Sequence, residues 1–335
     1  MNPQIFVRSM TPSDLPFADS LRALAGWNQT MADWKRLLML SPRGCFVAEW
    51  NGYPAGTVTT ISYGGEVAWI GMLLVHPDFR RRGVGQTLLS RCLDTLVGRG
   101  INCIKLDATP EGQPLYQQCG FQAEWCLTRW TGDRSCAIGN RPSPLRNAPL
   151  TPLPSDGRGE PPWERENLRS SGGEPDPASN LEMSPPQEGH QRQLRPFIRE
   201  YSTQVADLDR EAFGVHRQTL LEHLVQSSRS ALVAESDGGI TGYGVLREGA
   251  HADYLGPIAS ASPQTARRLA EALLASRRTQ RPVYWDIPDQ NVEAVALAKE
   301  FGFVAQRRLT RMFLGTNQSP GNVRRYFAIA EPALG

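Results

Sequence analysis

The sequence predicts an α/β fold, α+β in finer terms, built twice: two domains, each a mixed and mostly antiparallel sheet flanked by helices. Three observations carry this expectation. First, two stretches recur at a nearly constant offset. "VAEWNG" at 47–52 returns as "VAESDG" at 233–238, and "GFQAEWCLTR" at 120–129 returns as "GFVAQRRLTR" at 302–311, offsets of 186 and 182 residues. A chain repeating itself at that period is a duplicated unit. Second, residues 134–192 hold 11 of the 26 prolines, six glycines, seven serines and a single aromatic, Trp163. So little apolar surface does not offset the entropy of ordering, so this stretch reads as a disordered linker between domains at 1–133 and 193–335. Third, both flanks run through strand-like and helix-like periodicities in the same order.

In the first half a short strand near Ile5 precedes helices starting at about Pro12 and Met31. Strands follow at 45–50, 56–63 and 66–75, with Asn51-Gly52 as a hairpin turn, which makes the sheet mixed rather than doubly wound. Leu88, Leu89, Cys92, Leu93, Leu96 and Val97 then recur at helical spacing, and Gly98 and Gly100 offer a stop. A strand at 102–108, a short helix at 112–120 and terminal strands after Gly120 complete the unit.

Bulk properties narrow the function. Lys and Arg total 36 against 34 Asp and Glu, a net charge of +2, which gives no basis for binding nucleic acid. There is no apolar leader and no run of about 18 apolar residues, so a soluble, cytoplasmic protein without a membrane partner is expected, as monomer or homodimer. The six cysteines, at 45, 92, 103, 119, 126 and 136, form no Cys-x-x-Cys pair. Neither a disulfide framework nor a metal site is expected.

"HPDFRRRGVGQTLL", residues 76–89, joins a nearly continuous apolar run to the amphipathic helix. A strand, a tight basic turn and a helix N-terminus aim free backbone N–H groups and the positive helix end at one point, which suits an anion. It is not a Walker loop, which needs Gly-Lys-Ser/Thr. Nor is it a dinucleotide fingerprint, because Leu88 stands where the third glycine belongs. What remains is Arg80-x-x-Gly83-x-Gly85 after an apolar strand ending at Val75, with "LYQQCGF" downstream. This resembles the acetyl-CoA pyrophosphate loop of the GNAT N-acetyltransferases. The resemblance covers the whole first half and, less closely, the second. With "AGWNQTMADW", "LDATPEGQPLY", "GPIAS" and "RMFLG", the chain resembles tandem GNAT proteins of the YitH type.

The resemblance implies two tandem GNAT folds and transfer of acetyl from acetyl-CoA, as co-substrate, to a primary amine of a small molecule or peptide. The amine would attack directly in a ternary complex. Arg80, Arg81, Arg82, Gly83, Val84, Gly85 and Gln86 would hold the pyrophosphate, chiefly through backbone amides. Leu73, Leu74 and Val75 would pair with the pantetheine arm. Tyr116, four residues before Gly120-Phe121, would protonate the leaving thiolate. Asp107 would relay the amine proton, or else accept hydrogen bonds within its own turn, and Trp27, Asn28 and Asp33 would line the acceptor site. All of this lies within 1–133, which is expected to suffice for acetyl-CoA binding. In the second half Pro263-Gln264-Thr265 replaces the glycine turn and Ala298 the tyrosine, so that half is expected to be degenerate and to wall the acceptor site. A non-catalytic acyl-CoA sensor is the alternative.

Overall fold

Local chemistry sets the element boundaries. The computed structural model describes residues 4–133, 193–236 and 238–335; the expected linker lies outside the described residues. The first half comprises β1 (Ile5–Ser9), α1 (Leu15–Leu24), α2 (Met31–Leu40), β2 (Cys45–Trp50), β3 (Tyr53–Tyr63), β4 (Val67–Val75), α3 (Val84–Val97), β5 (Cys103–Ala108), α4 (Gln113–Gln118) and β6 (Gln122–Gly132). The second repeats that order: β7 (Gln193–Pro196), α5 (Ser202–Phe213), α6 (Gln218–Gln226), β8 (Ser230–Ser236), β9 (Gly239–Arg247), β10 (Asp253–Ser260), α7 (Pro263–Ala275), β11 (Val283–Pro288), α8 (Val292–Glu300) and β12 (Val304–Gly315). It adds β13 (Tyr326–Ala328). Thr30 and Asp33 close a capping box on α2. Asn51 and Gly52, at φ 51° and 83°, make the two-residue turn between β2 and β3.

The strands form one sheet in the order β1-β2-β3-β4-β5-β12-β6-β11-β10-β9-β8-β7, with β13 beside β10. Neighbours are antiparallel except β4 with β5 and β10 with β11. The mixed, mostly antiparallel sheet is as the sequence implies. Its centre is not.

Each half contributes one long terminal strand rather than several, and that strand serves the other half. β12 pairs with β5 and β6 pairs with β11. The two exchanged strands also pair with each other, with Leu127 opposite Leu309. Those are equivalent positions of the repeat, so a pseudo-two-fold axis passes between them. The exchange is also a packing exchange: Met312 joins the core of the first half and Trp130 that of the second. A further core joins the halves through their first helices, with Trp34 and Leu37 of α2 in the same cluster as Phe213 of α5 and Leu224 of α6.

The exchange explains the repeated Leu-Thr-Arg. Arg311 sits directly opposite Asp107, and Arg129 directly opposite Asp286. Each arginine grips its aspartate with two nitrogens, at 2.8 and 2.9 Å for Arg311 and 2.7 and 2.6 Å for Arg129. The repeat encodes a pair of buried cross-half ion pairs.

Candidate active site

The site is a gap in the sheet. β4 and β5 pair in parallel only from Val67 to Trp69 against Cys103 to Lys105, and then diverge. The pairing of β3 with β4 shifts register beside Met72, whose φ is 51°, so a bulge bends β4 away. The resulting cleft has an empty volume of about 470 Å³, part of it open to solvent. Ile70, Met72 and Leu73 form one wall, Leu106, Asp107 and Tyr116 the other.

The basic loop follows the C-terminal end of β4, and Gly85 lies beside Val75 of β4 and Leu115 of α4. Gly83, at φ 85°, precedes the first residue of α3, and Arg81 also has a positive φ, 59°. The first helical hydrogen bond runs from Thr87 N to Gly83 O, 2.9 Å. The amides of Arg81, Arg82, Gly83, Val84, Gly85 and Gln86 therefore have no hydrogen-bond acceptor among the described residues. Six consecutive free N–H groups at a helix N-terminus form an anion cradle. Gly83 suits it twice over, by its left-handed conformation and by having no side chain to cap the helix. Gly85 is different: its backbone is not left-handed, and a Cβ there would touch Val75 and Leu115 at ordinary distances of 3.5 and 3.8 Å. The guanidinium of Arg82 stacks over Trp50 at 5.4 Å, and Arg80 Nε donates to Val75 O at 3.2 Å. Those two side chains brace the loop, and the free donors are mainly backbone.

Tyr116 is carried to the cleft by α4 and packs edge-on to Phe121, ring centroids 5.9 Å apart. Its hydroxyl has no hydrogen-bond partner among the described residues. Burial raises its pKa well above the usual phenol value, so it stays protonated at neutral pH.

The carboxylate expected to act as base is placed differently. Asp107 lines the cleft, but its side chain is fully buried and held by both Arg311 nitrogens. Burial raises its pKa while Arg311 opposes the rise. Asp286, its counterpart in the second half, makes the same bidentate bond and also accepts from Tyr254. The same bidentate pair stands in both halves, so it serves the fold in each, while Asp107 alone lines the cleft where a proton relay was expected.

Of the three expected acceptor residues only Trp27 lines the cleft; Asn28 and Asp33 border a smaller pocket beside it. Asn28 Oδ1 accepts from His251 N and Ala252 N while its Nδ2 donates to Ala252 O, tying the halves together. Asp33 caps α2, pairs with Arg36 and lies 3.7 Å from Arg247, and these cations hold its pKa below the usual value against the cost of burial. Both residues are occupied by the fold. The sequence reading passed over Gln29, Arg307, Pro332 and Ala333, all of which line the cleft. Gln29 adjoins residues it did single out; the other three arrive from the second half.

In that second half the equivalent cleft is filled. β10 and β11 also pair briefly and diverge, but β13 lies along β10 beyond the divergence, and Ile329 N donates to Asp286 O of β11 at 3.0 Å. Trp285 Nε1 donates to Phe327 O at 2.9 Å. The chain then continues into the first half's site. Trp69 Nε1 donates to Pro332 O at 3.0 Å, and a Cβ on Gly71 would meet Ala333 O at 2.7 Å, so the tail packs there because Gly71 has no side chain. No helix among the described residues is long and apolar enough to cross a membrane.

The chain is similar to known proteins in sequence and in fold. The sequence model of the Acetyltransferase (GNAT) family matches residues 14–121, and that of an Acetyltransferase (GNAT) domain matches residues 205–328. YitH of Bacillus subtilis, itself an uncharacterized N-acetyltransferase, is 25% identical over 240 residues, 71% of this chain and 67% of YitH. An acetyltransferase of Pectobacterium atrosepticum is 33% identical over 108 residues, 31% of this chain and 76% of that protein. A protein of known structure from Pyrococcus horikoshii shares the fold at a TM-score of 0.69 and 22% identity, over 99% of this chain and 96% of its own.

Proposed function

Because the chain belongs to the GNAT acetyltransferase family, with two such domains in tandem, we propose that its first half transfers acetyl from acetyl-CoA to a primary amine. The observation that carries this reading is the run of six free amides at the helix that follows β4, together with an unpartnered phenol in the cleft between the divergent strands. Proteins of this family use acetyl-CoA as co-substrate. Here Arg81, Arg82, Gly83, Val84, Gly85 and Gln86 would hold its pyrophosphate. The cleft-facing backbone of Leu73, Leu74 and Val75 would pair with the pantetheine arm, and an amide there would polarise the thioester carbonyl.

The neutral amine attacks the thioester carbon in a ternary complex. A C–N bond forms, the C–S bond breaks, the amine gives up one proton and the thiolate gains one. Tyr116 donates to the sulfur as charge develops on it, and its raised pKa keeps that proton in place beforehand. Asp107 is bound to Arg311, so the amine proton leaves to water in the open cleft.

The test is acetyl-CoA turnover, followed as free CoA thiol, across amino acids, polyamines, aminoglycosides and peptides. Thiol release that depends on an amine supports the reading. Tight acetyl-CoA binding without release for any amine leaves an acyl-CoA sensor instead.

A further inference from the structure

The second half lends the cleft a charge that the fold does not neutralise. Around the cleft and its neighbouring pocket, arginines and carboxylates are matched: Arg129 with Asp286, Arg311 with Asp107, Arg36 with Asp33, and Arg247 with Glu331. Arg307 is the exception. It sits on β12 opposite Arg129, beside a register shift, and lines the cleft. It has no ion pair or hydrogen bond among the described residues, and its Nε is buried without an acceptor. Burial, and then repulsion from Arg129, lowers its pKa to about 10. A half-buried guanidinium whose Nε has no acceptor and which has no paired carboxylate is costly in a free protein and becomes favourable when an anion arrives.

A second orphan lies in the same cleft. Gln29 is 7% exposed, and its Oε1 is buried without a donor. Besides the Tyr116 hydroxyl, the cleft thus presents one unmet cation and one unmet acceptor. An amine without an acidic group satisfies only the acceptor, and a polyamine also sets a second positive charge against Arg307. A molecule with an N–H and a carboxylate satisfies both.

We propose that the acceptor is an amine that carries a carboxylate, an amino acid or a peptide with a free C-terminus, whose carboxylate pairs with Arg307 and whose N–H donates to Gln29. This rests on the cleft being the acceptor site of an acetyltransferase. Arg307 would then be the specificity residue, delivered to the catalytic half by the exchanged strand.

Two readouts test it. The first compares kcat/KM for glycine, leucine and phenylalanine with that for their primary amides. The second measures, by saturation-transfer NMR on the CoA-bound full chain, binding of N-acetylglycine, N-acetylleucine and N-acetylphenylalanine against their amides. The acids should be favoured about ten- to hundredfold, the range expected of a charge-assisted contact. Arg307→Met should erase the preference, and Arg307→Lys should restore part of it, with neither variant melting below the wild type. Equal treatment of acids and amides, or failure of the acids to bind, overturns the proposal. Acid binding that depends on Arg307, without thiol release from any amine, supports this anion site while sinking the transferase reading.

Discussion

The two divergent strand pairs, β4 with β5 and β10 with β11, begin alike and end differently. Each pairs in parallel for two or three residues and then opens. In the first half the opening stays empty and faces a helix whose N-terminal position is Gly83. In the second, β13 fills the opening, and the equivalent helix begins after Ser262, whose side chain accepts from Thr265 N, with Pro263 next. A serine cap satisfies one of the amides that glycine leaves free, and proline removes another outright. One fold thus yields a ligand site or a filled core according to a few side chains at a helix end and one added strand.

The largest test of that contrast is to separate the halves. Residues 1–133 hold every residue proposed to bind the cofactor but lack β12, which supplies the partner of β5 and Met312 to its core. Either fragment alone should show no cooperative melting, and 1–133 should not bind acetyl-CoA; mixing the fragments should restore both. Calorimetry and thermal melts read this directly. Cooperative melting and acetyl-CoA binding by 1–133 alone would mean that the halves are independent domains.

Tyr116→Phe comes next. The second half has Ala298 at this position, fully buried in its own core, so the phenol belongs to the open cleft alone. Removing the hydroxyl should lower kcat on the order of 10²–10⁴-fold and leave acetyl-CoA affinity within a few-fold, because the proton is needed only as sulfur becomes anionic. Unchanged single-turnover rates would reduce Tyr116 to a packing residue.

Asp107 and Asp286 sharpen the comparison from the other side, because there the halves are alike. Each variant, Asp107→Ala and Asp286→Ala, leaves an arginine buried and unpaired, and each should cost about 3–5 kcal/mol of stability. Denaturant titration should find the two losses similar. Asp107→Asn, measured per folded molecule, should keep most of kcat; a hundredfold loss would return Asp107 to the role of base.

What the sequence made legible follows from interaction range. The Asn51-Gly52 turn, the helix after Gly83 and the placement of Tyr116 before Gly120 all depend on neighbours a few residues apart, where periodicity and turn chemistry speak. The ion pair of Asp107 was not legible because its partner Arg311 lies 204 residues away, nor was the anchoring by Asn28, which fastens a loop 224 residues away. The strand exchange was hidden for a related reason. In a duplicated chain β6 and β12 satisfy either half's pattern equally well, so alternation cannot say which sheet each completes. Val97 shows the limit of periodicity itself: it fits the apolar repeat of α3 yet stands 64% exposed at the helix end.

The smallest effects come from the two helix starts, altered in turn. Gly83 holds φ 85°, where a β-branched residue is strained by roughly 1–3 kcal/mol. Gly83→Val should therefore shift the loop and weaken acetyl-CoA binding about ten- to hundredfold, with the sheet intact. At the matching position Ser262→Ala removes a cap and should cost about 1 kcal/mol of stability. That substitution should leave acetyl-CoA affinity untouched, because the freed amides of α7 face a cleft already occupied by β13. Thermal midpoints and acetyl-CoA titrations on both variants separate the outcomes. A change in acetyl-CoA affinity on Ser262→Ala would mean that the second half takes part in holding the cofactor, and that its filled cleft is not closed to ligand.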